Sequence, residues 1–322
     1  MTAKFDLSNA RVAAILNAAS GKSDGSDTTA LLEKLVAPVS GSFDILPIQK
    51  GQDLIRLASD AAKSHDLVIA VGGDGTQAAV AQALADLGGE TVMGVIPGGT
   101  FNYFARDLHV GDTPEEAIQT ILNARVQPVS VGDMNGKVFL NNVSLGAYPE
   151  ILEKREAAYR KFGRSRFLAY WAVLDALRDL RHPLQLTAHV NGETLEFQTA
   201  LAFVAQSETQ LESFGLQGAE DVKRDRLPLF VAKAKTGRGL IAAALRLALG
   251  RTSHGEDFDL IIADDFIIHT DSPTRHVAHD GERSRVPAPL KLTIRKDALR
   301  VLVPADPVSD DPRTPTAGTA TN

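Results

Sequence analysis

The stretch Leu67 to Thr76, LVIAVGGDGT, constrains the fold more than any other part of the chain. Five consecutive apolar residues, Leu67 to Val71, fit a short strand buried on both faces, the mark of a parallel sheet covered by helices. They run into Gly72, Gly73, Asp74, Gly75 and Thr76, and helical spacing then follows from Ala78 to Leu87. A strand that ends in glycines and passes into a helix turns unobstructed backbone N–H groups toward an anion at the helix N-terminus. Thr76 is placed to cap that helix or to touch a phosphate. Asp74 is itself an anion, so its natural tasks are to hold Mg²⁺ near the phosphates or to order the loop. The plainer alternative is a strand-to-helix turn whose glycines serve only tight geometry.

The same grammar surrounds this unit. Residues Arg11 to Asn17 (RVAAILN) read as a strand followed by a polar turn through Ser20 and Lys22, and Thr28 to Ala37 and Leu54 to Ala62 carry helical stripes. Val92 to Ile96 is a second apolar strand, Pro97 to Asn102 a second glycine loop, and Pro114 to Leu122 a helix with Asp112 or Thr113 near its cap. Alternating strands and helices define an α/β unit. Beyond Val126 the pattern turns to strands, at Lys137 to Leu140, Leu184 to Val190, Thr194 to Phe203, Pro228 to Ala234, Phe258 to Ile262 and Asp265 to His269. One helical insert, 151–180, interrupts them, and the tail 305–322 has the Pro, Thr, Asp and Ser content of a disordered segment.

Bulk properties exclude several classes of function. A chain of 322 residues, 44% of them hydrophobic, favours two domains with real cores. Cysteine is absent, which removes disulfides, thiolate catalysis and Cys-based zinc sites. The formal net charge of −6 argues against general nucleic-acid binding, which rests on a basic excess. The longest apolar stretch, Leu240 to Gly250, is interrupted by Arg246 and is far shorter than the roughly 20 residues of a membrane span. The first residues carry no secretion or lipidation pattern, so a cytoplasmic protein is the expectation.

Two further segments make the first glycine loop specific. Gly72 to Thr76 followed by Pro97-Gly98-Gly99-Thr100-Phe101-Asn102-Tyr103-Phe104-Ala105-Arg106-Asp107-Leu108 resembles the paired motif of the diacylglycerol kinase catalytic domain, in the family that also includes sphingosine kinases. The chain departs from that pattern at Tyr103, where the family commonly has Asp. Asn17 to Lys22 is similar to the family's Asn-Pro-x-Ser-Gly element, with Ala18 in place of Pro. A Walker A loop is rejected there, because Leu16 stands where that pattern needs Gly. The resemblance implies ATP and Mg²⁺ as cofactors, with Asn17, Ser20, Gly98, Gly99, Thr100 and Asn102 joining the first loop in holding the nucleotide. Physically, the Asn102 amide can both donate and accept at a base or phosphate edge, and Arg106 can pair with a loop acid.

Far downstream, Asp280-Gly281-Glu282 matches the family's Asp-Gly-Glu motif. If that segment is extended, Asp280 and Glu282 project to one side, one carboxylate taking a hydroxyl proton and the other orienting it. An isolated tripeptide of this kind is otherwise a hairpin turn with exposed acids. Asp280 and Glu282 are the candidate catalytic pair. The segment Asn141 to Pro149 resembles the family's cleft-lining Ser-x-Gly stretch and carries no assigned role. Around Ala219 to Leu229 some members hold a structural metal, but Asp225-Arg226 replaces the family's Asp-Gly, leaving Asp225 a weaker candidate ligand than Asp74.

Between Lys154 and Arg166 six basic residues face a single Glu156, and Phe167, Tyr170, Trp171, Leu174 and Leu177 follow at helical spacing. Such a helix rests on an anionic membrane, or equally it covers a sheet with Trp171 in the core. The expected architecture is thus an α/β nucleotide-binding domain, 1–128, completed by 291–304, then a β-sandwich-type lipid-substrate domain, 129–290, with the active site in the cleft between them. The expected function is ATP-dependent phosphorylation of a hydroxylated membrane lipid at the inner face of the membrane, with transient contact through 154–178. An NAD kinase-like small-molecule kinase, which shares Gly-Gly-Asp-Gly after a strand, and a non-catalytic lipid- or nucleotide-binding relative are the alternatives.

Overall fold

The computed structural model describes residues 4–17, 26–147, 149, 183–236, 238–240 and 257–305. Ser20, the basic and aromatic segment 154–178 and residues 306–322 of the tail lie outside the described residues.

The N-terminal part alternates strands and helices: β1 (Arg11–Leu16), α1 (Ser26–Leu35), β2 (Ser42–Pro47), α2 (Leu54–Ser64), β3 (Leu67–Gly72), α3 (Asp74–Leu87) and β4 (Val92–Pro97). The strands pair in parallel in the order β2-β1-β3-β4. Every residue of β3 and β4 is buried, as their unbroken apolar runs require. Strand β2 reads SFDILP and lies half-exposed at the sheet edge, so no apolar run marks it in the sequence. Helix α1 ends at Leu35, two residues short of expectation, where Pro38 enters a short 3₁₀ turn. Helix α3 begins at Asp74 rather than Ala78, so the glycine motif is the first turn of the helix itself.

A short helix α4 (Tyr103–Asp107) and α5 (Pro114–Leu122) lead into β5 (Arg125–Met134), β6 (Lys137–Phe139) and β7 (Asn142–Gly146). Helix α5 opens on a complete capping box, the Thr113 hydroxyl accepting from Glu116 N–H and the Glu116 carboxylate from Thr113 N–H. The rest is antiparallel: β8 (Leu184–Val190), β9 (Glu193–Thr199), β10 (Leu201–Ala205), α6 (Glu208–Ser213), α7 (Ala219–Val222), β11 (Leu227–Ala232), β12 (Phe258–Ala263), β13 (Phe266–Thr270), β14 (Thr274–His279), β15 (Glu282–Pro287) and β16 (Leu290–Val303). The single strand expected over Thr194 to Phe203 is two strands in two sheets. The chain turns at Ala200, and the buried Thr199 hydroxyl donates to the Ala232 carbonyl at 2.6 Å to hold the corner.

Strand β16 fixes the layout. Its far end adds in parallel to β4 through Arg300 and Val301, and its near end pairs with β13, so one sheet runs β2-β1-β3-β4-β16-β13-β8-β9. A second sheet, β12-β11-β10-β7-β14-β15, faces the antiparallel part of the first. One core surrounds the parallel strands, and a second, with Phe139, Leu145, Leu229, Phe266 and Leu292, fills the sandwich. The molecule is an α/β unit with a parallel sheet, followed by a β-sandwich of antiparallel sheets.

Candidate active site

The chain leaves β1 toward β2 in one direction and reaches β4 from β3 in the other. The carboxyl ends of β1 and β3 therefore flank a switch point, where open α/β sheets form a crevice. Asn17 stands at the first of these ends and Gly73 at the second. Around them opens a cavity of about 620 Å³ lined by Asn17, Gly73, Gly75, Thr76, Asp280 and Glu282 on its polar side and by Leu54 and Ile55 of α2 at one edge. The Asn17 amide donates to Thr76 Oγ1 at 2.9 Å, tying the first strand end to the glycine turn.

Gly73, Gly98 and Gly99 are explained by contact between the two loops, and Gly72 by the Thr76 side chain of its own loop. A Cβ on Gly72 would meet Thr76 Oγ1 at 2.6 Å, on Gly98 the Gly72 Cα at 3.1 Å, and on Gly99 the Gly73 Cα at 2.7 Å. The loops after β3 and β4 thus pack backbone on backbone, which only glycine allows. Gly75 differs, since a Cβ there would touch only Glu282 Oε1, at 3.2 Å.

Asp74 fastens this contact. Its carboxylate accepts from Asn102 N–H at 3.0 Å through Oδ2 and from Tyr103 N–H at 2.8 Å through Oδ1, capping the short helix α4. Asn102, in left-handed conformation, spends its amide inside its own loop: Oδ1 accepts from Gly99 N–H at 2.8 Å and Nδ2 donates to the Gly99 carbonyl at 3.1 Å. Where the sequence suggests an amide facing a base or phosphate, the structure uses it to close the loop. Gly72, Asp74, Gly98, Gly99, Thr100 and Asn102 are not among the residues lining the cavity; Gly98 and Gly99 brace the glycine turn from behind. Arg106 lies 3.9 Å from Asp112, the loop-acid pairing open to it from the sequence.

Asp280-Gly281 is not extended. Both residues have positive φ, 46° and 82°, and form the two-residue turn of the β14–β15 hairpin, so Asp280 and Glu282 do not share one strand face. Nor is this a turn of exposed acids. The Asp280 residue is half-buried, and its carboxylate accepts from three successive backbone groups, Leu140 N–H at 2.8 Å on Oδ2 and Asn141 and Asn142 N–H at 2.7 and 3.2 Å on Oδ1. Burial nevertheless pushes its proton affinity up, to a pKa of about 6; the three donors oppose the rise and the negative charge of Asp74 adds to it. Glu282 is exposed and stands over Gly75.

Asn141 was not marked as functional by its sequence, yet it joins both acids. Its backbone N–H donates to Asp280, and its side-chain Nδ2 donates to Asp74 Oδ1 at 3.3 Å. Its own Oδ1 is buried without a hydrogen-bond partner. Lys137, Gln82, His279 and Arg283 also line the cavity and carried no signal beyond their place in strands or helices. For Mg²⁺ the donor chemistry here fits: hard oxygen ligands, one of them an orphaned buried carbonyl, beside an Asp74 Oδ2 that accepts a single N–H.

Asp225 is placed differently. It sits in left-handed conformation beside a separate cavity of about 310 Å³, shared with Asp107, Glu208, Lys223 and Asp297. The Lys223 ammonium lies 3.1 Å from Glu208 there, and among the described residues no three acidic or histidine side chains are grouped to hold a metal ion. The Asp225 side therefore does not fit the structural metal that the resemblance suggests.

Comparison with known proteins agrees with this geometry. The fold, an α/β unit with a parallel sheet joined to antiparallel sheets, is shared with solved structures described as bacterial diacylglycerol kinases. One from Bacillus anthracis str. Sterne superposes with a TM-score of 0.70 at 24% identity, covering 92% of this chain and 97% of that one. Residues 11–134 match the family model described as diacylglycerol kinase catalytic domain. The diacylglycerol kinase of Bacillus subtilis (strain 168) is 39% identical over 104 residues, 31% of this chain and 33% of that one. A Staphylococcus carnosus (strain TM300) protein, provisionally named a lipid kinase, is 24% identical over 270 residues, 79% of this chain and 84% of that one. The alignment thus spans about a third of the length of the B. subtilis relative and most of the S. carnosus one. No helix among the described residues is long and apolar enough to cross a membrane.

Proposed function

We propose that the chain is an ATP-dependent lipid kinase that moves the γ-phosphoryl group of Mg-ATP to a hydroxyl of a membrane lipid of diacylglycerol, ceramide or sphingoid-base type. The observation that carries this reading is the half-buried, hydrogen-bonded Asp280 carboxylate on the wall of the same cavity as Gly73, Gly75 and Thr76. Phosphoryl transfer asks for an anion cradle, charge neutralisation and a group that receives the nucleophile's proton.

The first turn of α3 supplies the cradle, with backbone N–H groups and the helix dipole directed at the phosphates. Asp74 and its neighbours would hold Mg²⁺, which supplies neutralisation of the phosphoryl charge when bound. Asp280 acts as the base. Its Oδ1 is filled by two N–H donors, whereas Oδ2 accepts only one and keeps a lone pair for the lipid hydroxyl. As the hydroxyl oxygen attacks the γ-phosphorus, its proton passes to Oδ2, the bond to the β–γ bridging oxygen breaks and ADP leaves. Glu282, at the lip over Gly75, is placed to meet a phosphate-bound cation rather than to orient Asp280. The acceptor enters from a membrane surface, reached by peripheral contact on the cytoplasmic side.

The test is transfer of label from γ-labelled ATP to a panel of purified lipids in mixed micelles. Asp280→Asn is expected to lower transfer by about 100-fold or more while nucleotide binding persists. Undiminished transfer by that variant removes Asp280 as the base; labelling of NAD in place of every lipid overturns the acceptor class.

A further inference from the structure

Asn141 has one polar atom that nothing explains. Its side chain is 4% exposed, its carbonyl and N–H groups are engaged, and its amide nitrogen points at Asp74. Only Oδ1 is left without a partner. A buried acceptor in that state is unfavourable unless a ligand or a water completes it. Turning the amide over does not relieve the problem, because it would set Oδ1 against the Asp74 carboxylate and orphan the amide N–H groups instead. The missing partner must therefore be a donor or a cation arriving beside Asp74.

The surroundings decide between the two. The Asp74 carboxylate lies next to the orphan oxygen, and its Oδ2 accepts a single N–H. A second carboxylate, Asp280, is bound to the backbone of the same Asn141. Two acids bridged by one residue whose free atom is an amide oxygen form a negative, all-oxygen environment. A hard divalent cation fits it, above all one that takes one or two protein oxygens and completes its shell with phosphate and water. Loop and sheet place these groups rigidly: the Asn141 carbonyl accepts from Gln206 N–H at 2.7 Å, and Asp74 is fixed by α4.

We infer that Asn141 Oδ1 and Asp74 are the two protein ligands of the divalent cation that accompanies the nucleotide, with Asn141 a metal-binding residue of the active site. This rests on the kinase reading for the nucleotide that shares the cation.

The experiment uses the full chain, Mn²⁺ as the probe and a non-hydrolysable ATP analogue, with free Mn²⁺ read by electron paramagnetic resonance and no lipid present. Asn141→Ala is expected to weaken Mn²⁺ binding in the ternary complex by about tenfold or more, with binding of the analogue in EDTA unchanged. Asn141→Asp, which keeps an oxygen, should retain Mn²⁺. Equal Mn²⁺ affinity in wild type and Asn141→Ala overturns the inference. If the alanine variant does not fold, crystals of the wild type soaked in MnCl₂ and the analogue decide by anomalous scattering. A peak within roughly 2.3 Å of Asn141 Oδ1 supports the assignment, and a peak bound only elsewhere refutes it. Tight Mn²⁺ at Asn141 without phosphate transfer to any lipid would instead sink the lipid kinase reading and leave this site standing.

Discussion

The Asp280 carboxylate is desolvated and yet ringed by three N–H donors, two influences that pull its proton affinity in opposite directions. Burial wins, and the pKa of about 6 suits a base that works near neutrality. Activity should therefore rise through pH 6, falling about tenfold per unit below it; a pH profile of kcat checks this, and a flat profile between pH 5 and 7 would contradict the assignment. The stability consequence has the opposite sense. The folded group holds its proton more tightly than the unfolded chain, so its stabilising contribution is complete below about pH 4 and is lost as the pH climbs through about 6. The difference is on the order of 3 kcal/mol, and urea midpoints at the two ends of that window measure it. Gly99 gives a second test at this scale. A methyl group there meets the Gly73 backbone at 2.7 Å, so Gly99→Ala should lose about 1–3 kcal/mol and weaken nucleotide binding. Gly89→Ala, with nothing within 4 Å, should stay within about 0.5 kcal/mol of wild type.

At the scale of elements, what the sequence shows and what it hides follow from the same physics. Strands β3 and β4 are legible because burial on both faces demands unbroken apolar runs, and α5 because its capping chemistry is local. The edge strand β2 and the hairpin β14–β15 lack such runs. Each is half-exposed, and its pairing depends on a partner elsewhere in the chain. Asp74 and Asp280 stand out as acids in glycine motifs, but the sequence cannot show that Asp280 turns inward onto Leu140, Asn141 and Asn142. Asn141 had no role assigned from the sequence beyond opening a stretch that resembles the family's cleft lining; its meaning comes from contacts 67 residues back to Asp74 and 139 forward to Asp280. The capping box offers a local check. Thr113→Ala should cost about 1 kcal/mol in a urea melt and leave nucleotide affinity unchanged, since α5 packs behind β4 and contributes nothing to the cavity lining.

For the whole molecule, β16 is the element on which both cores depend. Leu292 lies in the sandwich core and Leu299, Val301 and Leu302 in the core of the parallel sheet, so one strand carries apolar side chains into each. Between these two sets the strand is irregular, with Asp297 at positive φ, and Arg295 bridges the break. Its guanidinium reaches Asp86 on α3 and Asp133 on β5, both at 2.7 Å, and the Gly136 carbonyl at 3.0 Å. One side chain thus clamps a helix of the parallel-sheet half to the hairpin that leads into β7 and Asn141. Asp133 is mostly buried, so removing the cation leaves a carboxylate without its counter-charge, a loss far larger than that of a surface pair. Arg295→Met should accordingly destabilise the chain by about 3 kcal/mol. Because the clamp sits where the two cores meet, the loss should be shared: hydrogen exchange is expected to accelerate in β1 and β3 as well as in β10 and β11. Acceleration confined to one sheet would mean that the halves open independently and that the cleft is held by contacts other than β16. The same variant should weaken nucleotide binding less than Gly99→Ala does, because Arg295 touches the helix at Asp86, three turns from the glycine motif at Asp74.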